Sequence, residues 1–262
     1  MQEITIDKDK FKALTDVISI LKDLCNDVDI QNSLIQQLST NRTVLFMIDL
    51  KPVFSGIDTI SVPICNIRQK LELFKGFFKS VDVKLAIHDE FFTISDSISM
   101  LKILKPSREF LDNKFVDSIE SLMNLSTFSS IVDARVPLSI CAKIGACNQS
   151  FSSSSVQVHF SKEQILFTTH SLNQSEFARI FSIPVQDNLQ VGSLLSDELD
   201  DNENDVIASV PDFPFLVPYD GEDIRVEILA SQETSSNMIF KFEGLVSNVP
   251  VSCYCKASFL EE

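Results

Sequence analysis

Side chains able to do covalent or metal chemistry are present in this 262-residue chain, but not in the spacings that such chemistry needs. Glycine occurs only at positions 56, 76, 145, 192, 221 and 244. A loop that wraps a phosphate needs closely spaced glycines, because only a backbone free of Cβ atoms can approach the oxygens; neither a P-loop nor a dinucleotide fingerprint can be assembled here. The histidines are His88, His159 and His170, and none stands in an H-E-x-x-H, H-R-D or triad context. His159 falls on the polar side of an alternating segment, which suits a surface role. Six cysteines, Cys25, Cys65, Cys141, Cys147, Cys253 and Cys255, form no C-x-x-C pair and none of the paired spacings of a zinc site, and they read as free core thiols. Asp197 to Asp205 packs six acids into nine residues. A calcium loop would need alternating ligands about a central glycine that is missing, which leaves a solvated loop. There is no nucleophile elbow. These residues point to a protein with no catalytic residue, no metal site and no cofactor.

Cations, by contrast, are organised. Phe11, Leu14, Val17, Ile18, Leu21 and Leu24 recur at the spacing of one buried helical stripe, with Asp7 placed to cap the helix. The opposite side carries Lys8, Lys12, Thr15, Ser19 and Lys22, all within about 40° of one line at 100° per residue. A second helix is expected from Pro63 to Lys79, burying Ile64, Ile67, Leu71, Phe74 and Phe78, with Arg68, Lys75 and Lys79 along one flank and Glu72 among them. A third, from Pro137 to Cys147, buries Cys141 and Ile144 and offers only Lys143.

The remainder alternates with period two. Val156, Val158 and Phe160, then Ile224, Val226 and Ile228, then Val251, Cys253 and Cys255 mark half-buried antiparallel strands. Further strands are expected near 43–50, 82–88, 91–95, 98–104, 164–169, 177–185 and 237–243. The course of strand, helix, strands, helix, strands begins again near Ser130, an internal duplication of architecture. Three prolines, Pro211, Pro214 and Pro218, exclude a regular fourth helix between Ser209 and Tyr219. Pro106 to Thr127 has no clear period yet carries Phe110, Leu111, Phe115, Ile119, Leu122 and Met123, too many apolar side chains for a plain spacer.

Composition is that of a globular protein with a core: 44% apolar and 23% charged residues, with 21 phenylalanines and no tryptophan. Met1 to Lys12 is charged where a secretory signal would be apolar, and no stretch approaches the roughly 20 apolar residues of a membrane span, so a cytoplasmic protein with no membrane partner is expected. The formal charge of −15, from 37 acidic and 22 basic residues, argues against a protein that coats nucleic acid.

In this order the residues resemble DNA sliding clamps, more closely the bacteriophage trimeric type than the cellular one. The likeness runs through the strand Thr59 to Val62, the helix Leu73 to Phe78, and VDVKLAIHDEFFTISDSISMLKILKPS from Val81 to Ser107. It resumes in VPLSICAKIGACNQSF, SVQVHFSKEQILFTTHSLNQSEFARIFSIPV and DFPFLVPYDGEDIRVEIL, then two strands ending at Cys255. Phage-type clamps are similar in having a shortened element where the prolines fall. The resemblance implies an α+β fold of two clamp domains of similar topology, residues 1–107 and 128–262, joined by a connector, 108–127. Antiparallel sheets would lie outside a homotrimeric ring and helices would line it.

A ring holds DNA by encirclement, so an acidic exterior is compatible with a positive lining. On that likeness Lys8, Lys12, Lys22, Arg68, Lys75, Lys79 and Lys143 would face double-stranded DNA. Met100 and Lys102 of one subunit would meet Phe177, Arg179, Ile180 and Phe181 of the next. Leu38, Val44, Leu122, Leu125, Phe128 and Phe259 would form an apolar pocket for peptides of the DNA polymerase, the clamp loader and other partners, in the cytoplasm of an infected bacterial host if a phage encodes the chain. Two alternatives are an open monomeric or dimeric polymerase accessory subunit that binds DNA directly, and a β-rich cytosolic enzyme.

Overall fold

Asp7 ends one element and starts the next. Its carboxylate accepts the Lys10 N–H at 2.8 Å, which caps the first helix with one of the four backbone donors otherwise left open. The computed structural model describes residues 2–39, 43–54, 60–108, 111, 128–160, 164–171, 174–184, 206–231 and 238–259. It divides into two compact units, Met1–Ser121 with Leu245–Val251, and Leu122–Gly244 with Ser252–Glu262. The expected connector lies almost wholly outside the described residues, as does the acidic run from Asp197 to Asp205.

The first unit runs β1 (Gln2–Asp7), α1 (Lys8–Leu21), β2 (Val28–Gln31), β3 (Leu34–Leu38), β4 (Val44–Asp49), β5 (Val62–Ile64), α2 (Ile67–Phe74), a 3-10 turn (Lys75–Phe77), β6 (Asp82–Ile87), β7 (Phe91–Ser95) and β8 (Met100–Leu104). Its strands are ordered β1-β6-β7-β8 and β5-β2-β3-β4, antiparallel throughout. Ile6, Val83, Leu85, Phe92 and Ile94 from the first set, Ile30, Val62 and Ile64 from the second, and Phe11, Leu14, Ile18 and Phe74 from the helices close a wholly apolar interior.

The second unit repeats that course: β9 (Phe128–Pro137), α3 (Leu138–Phe151), β10 (Ser155–Phe160), β11 (Gln164–Ser171), β12 (Gln174–Pro184), β13 (Val206–Pro211), a 3-10 turn (Phe213–Leu216), β14 (Asp220–Ser231), β15 (Met238–Val246), β16 (Val249–Lys256) and the short β17 (Ser258–Phe259). Its strand orders, β9-β14-β15-β16 and β13-β10-β11-β12 with β17 added beside β13, match those of the first unit element for element. The one substitution is a 3-10 turn where the first unit has α2. Pro214 sits at its start, and the three prolines leave no room for a longer helix. Gly145 of α3 lets that turn come close: a Cβ there would lie 2.7 Å from Leu216 Cδ2 and 3.3 Å from the Phe215 carbonyl oxygen.

Several expectations are corrected. Pro63 does not open α2 but sits in β5, which among the described residues pairs with β2 alone and so tolerates a residue lacking an N–H. The helix starts instead after Asn66, whose φ of +53° suits asparagine. Its start is tied down by Asn66 N–H to Asp27 Oδ1 at 3.0 Å and Ile67 N–H to Asn26 O at 2.9 Å. α3 runs on to Phe151 rather than stopping at Cys147. Thr15, placed in line with the exposed lysines, is buried, its hydroxyl satisfied by the Lys12 carbonyl at 2.7 Å.

Cys141, Cys147, Cys253 and Cys255 are buried, and burial pushes the Cys141 thiol up to about 12. No helix among the described residues is long and apolar enough to cross a membrane, and none of their His, Cys, Asp and Glu side chains form a group able to hold a metal ion.

The outward side of β14, β15 and β9 carries a charged ladder. Arg225 donates to Asp133 through Nε and Nη2, the latter at 2.6 Å, and reaches Glu243 through Nη1 at 3.1 Å; Lys241 meets Glu243 at 2.8 Å and Glu227 at 3.3 Å. The Arg225 hydrogen bond holds Asp133 below its ordinary value. Burial works to raise Glu243, but the Lys241 hydrogen bond and charge outweigh it and leave Glu243 lowered too. Carboxylates depressed in the folded state stabilise it fully above the ordinary carboxylate range and lose that contribution as pH falls through their folded values.

Urea unfolding of the wild type between pH 7 and pH 3 should therefore show stability falling in acid, and Arg225→Gln should flatten that fall. Gly244→Ala should destabilise by about 1–3 kcal/mol, since its Cβ would lie 2.5 Å from Cδ1 of the buried Tyr219 ring; an unchanged urea midpoint would show that the ring moves freely.

Candidate nucleic-acid interface and subunit edges

α1 is seated by Phe11, whose ring meets Phe74, Phe77 and Phe78 at centroid distances of 6.3, 6.3 and 6.2 Å, tilted or edge-on. The hydrophobic side of each helix is thereby fixed downward onto the strands, and what remains outward is the polar side. Lys8, Lys12 and Lys22 on α1 and at its end, Arg68 on α2, Lys75 in the 3-10 turn and Lys79 just beyond it are all exposed. The structure brings Lys22, Arg68 and Lys75 together along a trough between the two helices.

The cations there are not alone. Arg68 Nη2 donates to Asp23 Oδ1 at 2.7 Å, and Lys75 is paired with Glu72. Asp16 also lines the trough, its Oδ2 accepting from Ser247 Oγ at 2.7 Å, a bond inside the first compact unit. The trough thus carries three cations and three carboxylates. Sequence reasoning noted Glu72 and missed Asp16, on α1, and Asp23, in the turn that follows it.

In the second unit α3 exposes Ser139, Ala142, Lys143, Ala146, Gln149 and Ser150, a small and almost uncharged face on which Lys143 is the single cation. Phe215 anchors the neighbouring 3-10 turn, edge-on to Phe167 at 5.4 Å and to Phe242 at 5.2 Å.

Among the described residues, β8 ends its sheet beside β7 and β12 ends its sheet beside β11. β8 leaves Met100 and Leu104 each 70% exposed, next to Ile98 at 93% in the preceding turn, and Lys102 lies over the Phe91 ring at 3.9 Å. On β12, Ile180 is 62% exposed. Phe181 differs from the expectation of an apolar contact: strand alternation turns it inward, where it is buried with Ile183, and Arg179 lies over its ring while donating to Cys147 Sγ at 3.6 Å. Phe177 belongs to β12, with its side chain outside the described residues.

Of the expected peptide pocket, Val44 is a core residue of β4, while Leu38 at the end of β3 and Phe128 at the start of β9 are half-buried. Leu122, Leu125 and the Phe259 side chain lie outside the described residues. Two of the histidines have ordinary partners. His88 stacks on Phe91 at 4.2 Å and His170 shares a hydrogen bond with Gln157 at 2.7 Å.

No family model matches this sequence, and no curated protein matches it by sequence. Solved structures do. The PCNA of Thermococcus kodakaraensis superposes with a TM-score of 0.65 at 12% identity, covering 97% of this chain and 99% of that one. The PCNA2–PCNA3 complex of Sulfolobus tokodaii gives 0.62 at 9% identity over 98% and 99%, and the A. fulgidus PCNA bound to the C-terminal region of FEN-1 gives 0.61 at 13% over the whole of both chains. The chain has the PCNA-type sliding-clamp fold. Whole-chain coverage at so little identity means that the clamp architecture is specified here by a different set of side chains.

Within this clamp fold the Arg68–Asp23 pair is a solvent-exposed one, with side chains 73% and 59% accessible. A double-mutant cycle of Arg68→Ala and Asp23→Ala read by urea unfolding should give a coupling of at most about 1 kcal/mol; a larger value would make the pair part of the scaffold.

Proposed function

We propose that this chain is a non-enzymatic sliding clamp whose subunits join edge to edge into a closed trimer around duplex DNA and tether the replicative DNA polymerase. The observation that carries the reading is the pair of outer strands, β8 at the end of a sheet of the first unit and β12 at the end of a sheet of the second. An edge strand with a row of unpaired backbone groups invites another strand, and a protein normally blunts such an edge with charge or a bulge. β8 presents Met100 and Leu104 beside Lys102, and β12 presents Ile180 beside Arg179. A β8 edge meeting the β12 edge of the next copy satisfies both and buries that apolar surface, a head-to-tail contact that makes a ring when its rotation closes.

Such a ring reconciles the charge with the cargo. A chain of −15 repels DNA over most of its surface, while the cation-bearing sides of α1, α2 and α3, turned to the opening, meet the phosphates weakly and permit movement along the duplex. The phage-type trimer is supported by the 3-10 turn at Phe213–Leu216, which stands where the phage clamps the sequence resembles have a shortened element. Peptides of the polymerase and the clamp loader would dock on an apolar surface of the clamp.

Mass photometry at micromolar concentration should return three times the monomer mass. Met100→Asp and Ile180→Asp should each shift the population to monomer while leaving the far-UV circular dichroism of the folded chain unchanged, since both side chains are exposed in the single chain. A wild type that stays monomeric, and that binds short open-ended duplex at nanomolar concentration, would favour the open accessory subunit instead.

A further inference from the structure

Resting on the clamp reading, we infer that Asp23 and Glu72 are governors of DNA contact: each holds a cation of the α1–α2 trough in an intramolecular pair, so that Arg68 and Lys75 reach phosphate only by exchanging one carboxylate for another anion. Three features on the trough carry this. The pairs are formed, Arg68 to Asp23 at 2.7 Å and Lys75 to Glu72. They are exposed, so each is weak and opens easily. The carboxylates also stand in equal number to the cations, with Asp16 as the third and held by Ser247.

A scaffold needs no such balance. Exposed cations opposite an apolar stripe are already solvated, and a plain binding surface gains from every unpaired lysine or arginine. A surface that must hold DNA and still move over it gains from contacts that are individually replaceable. When phosphate takes the place of a carboxylate the net gain per contact is small, and the next phosphate is nearly equivalent.

The first unit therefore carries two kinds of cation. Lys8 and Lys12 do not line the trough and would act as plain counter-charges, whereas Arg68 and Lys75 would act as exchangeable ones.

The test is binding of the full-length protein to a short fluorescent duplex, read by anisotropy across a salt series. Asp23→Asn with Glu72→Gln should tighten binding about three- to ten-fold and steepen the dependence of log K on log salt by roughly one to two, as two further cations become free to neutralise phosphate. Glu90→Gln with Glu222→Gln, which removes the same two charges from exposed positions elsewhere, should give a much smaller gain and no change of slope. In an Arg68→Ala, Lys75→Ala background the gain from Asp23→Asn with Glu72→Gln should disappear.

An equal gain in that background, or an equal gain from the control pair, would overturn the inference and reduce the carboxylates to general repulsion, with the clamp reading intact. Binding left unchanged by Arg68→Ala, Lys75→Ala and Lys12→Ala together would instead remove DNA from this face, and the clamp reading with it.

Discussion

Two phenylalanines, Phe11 and Phe215, set the orientation on which everything functional in this fold depends. Phe11 draws α1 and α2 together through three ring contacts, and Phe215 draws the proline-bound 3-10 turn onto Phe167 and Phe242. Ring pairs of this kind add to their large buried area a preference for edge-on geometry, so they fix rotation about a helix axis as well as depth. For α1 the rotation matters more than the depth. A turn of one residue, 100°, would carry Lys12 towards the core and Phe11 towards water. With Trp absent from the chain, Phe is the side chain that supplies this locking volume in both units.

Once the helices are locked, the remaining choices are electrostatic, and they differ between the two units. The first places three cations and three carboxylates in one trough. The second leaves α3 with small residues and Lys143. Its charges lie on the other side of the sheet, in the ladder of Asp133, Arg225, Glu227, Lys241 and Glu243, where partial burial gives the pairs more weight than exposed ones have. Charge in the second unit is thus spent on structure. In the first it is left close to water, where pairs exchange.

The amphipathic stripe of α1, its Asp7 cap, the alternating strands of Val156 to Phe160, Ile224 to Ile228 and Val251 to Cys255, and the duplicated course of the chain were all legible, because each is a period that one buried face imposes. What escaped were elements whose signals are not periodic. β2 and β3 are joined through Asn32 and Ser33, with φ of +53° and +60°, and β15 and β16 through Ser247 and Asn248, with φ of +50° and +64°. Both are tight hairpin turns built without glycine, whose presence is the usual mark of such turns. Pro63 misled because proline serves equally at a helix start and on an edge strand, and only the pairing with Asp29 on β2 tells the two apart. At the site, the cations were visible as a stripe, but the carboxylates that answer them were not. Arg68 and Asp23 are 45 residues apart and meet only because Asn26 and Asp27 tie the start of α2 to the end of α1.

That tie also explains why the repeat could diverge. In the first unit, α2 is a full helix whose start is fixed by backbone and side-chain bonds from the loop after α1, and it contributes Arg68 and Glu72 to a shared face. In the second, the corresponding element is reduced by proline to a single 3-10 turn. It can approach α3 closely because Gly145 carries no Cβ, and it contributes Leu216 and Phe215 to packing, with no charge of its own. One topology therefore supports two surfaces. Where the second helix is long, its outward side is available for charge. Where it is cut to a turn, the same position can only fill space.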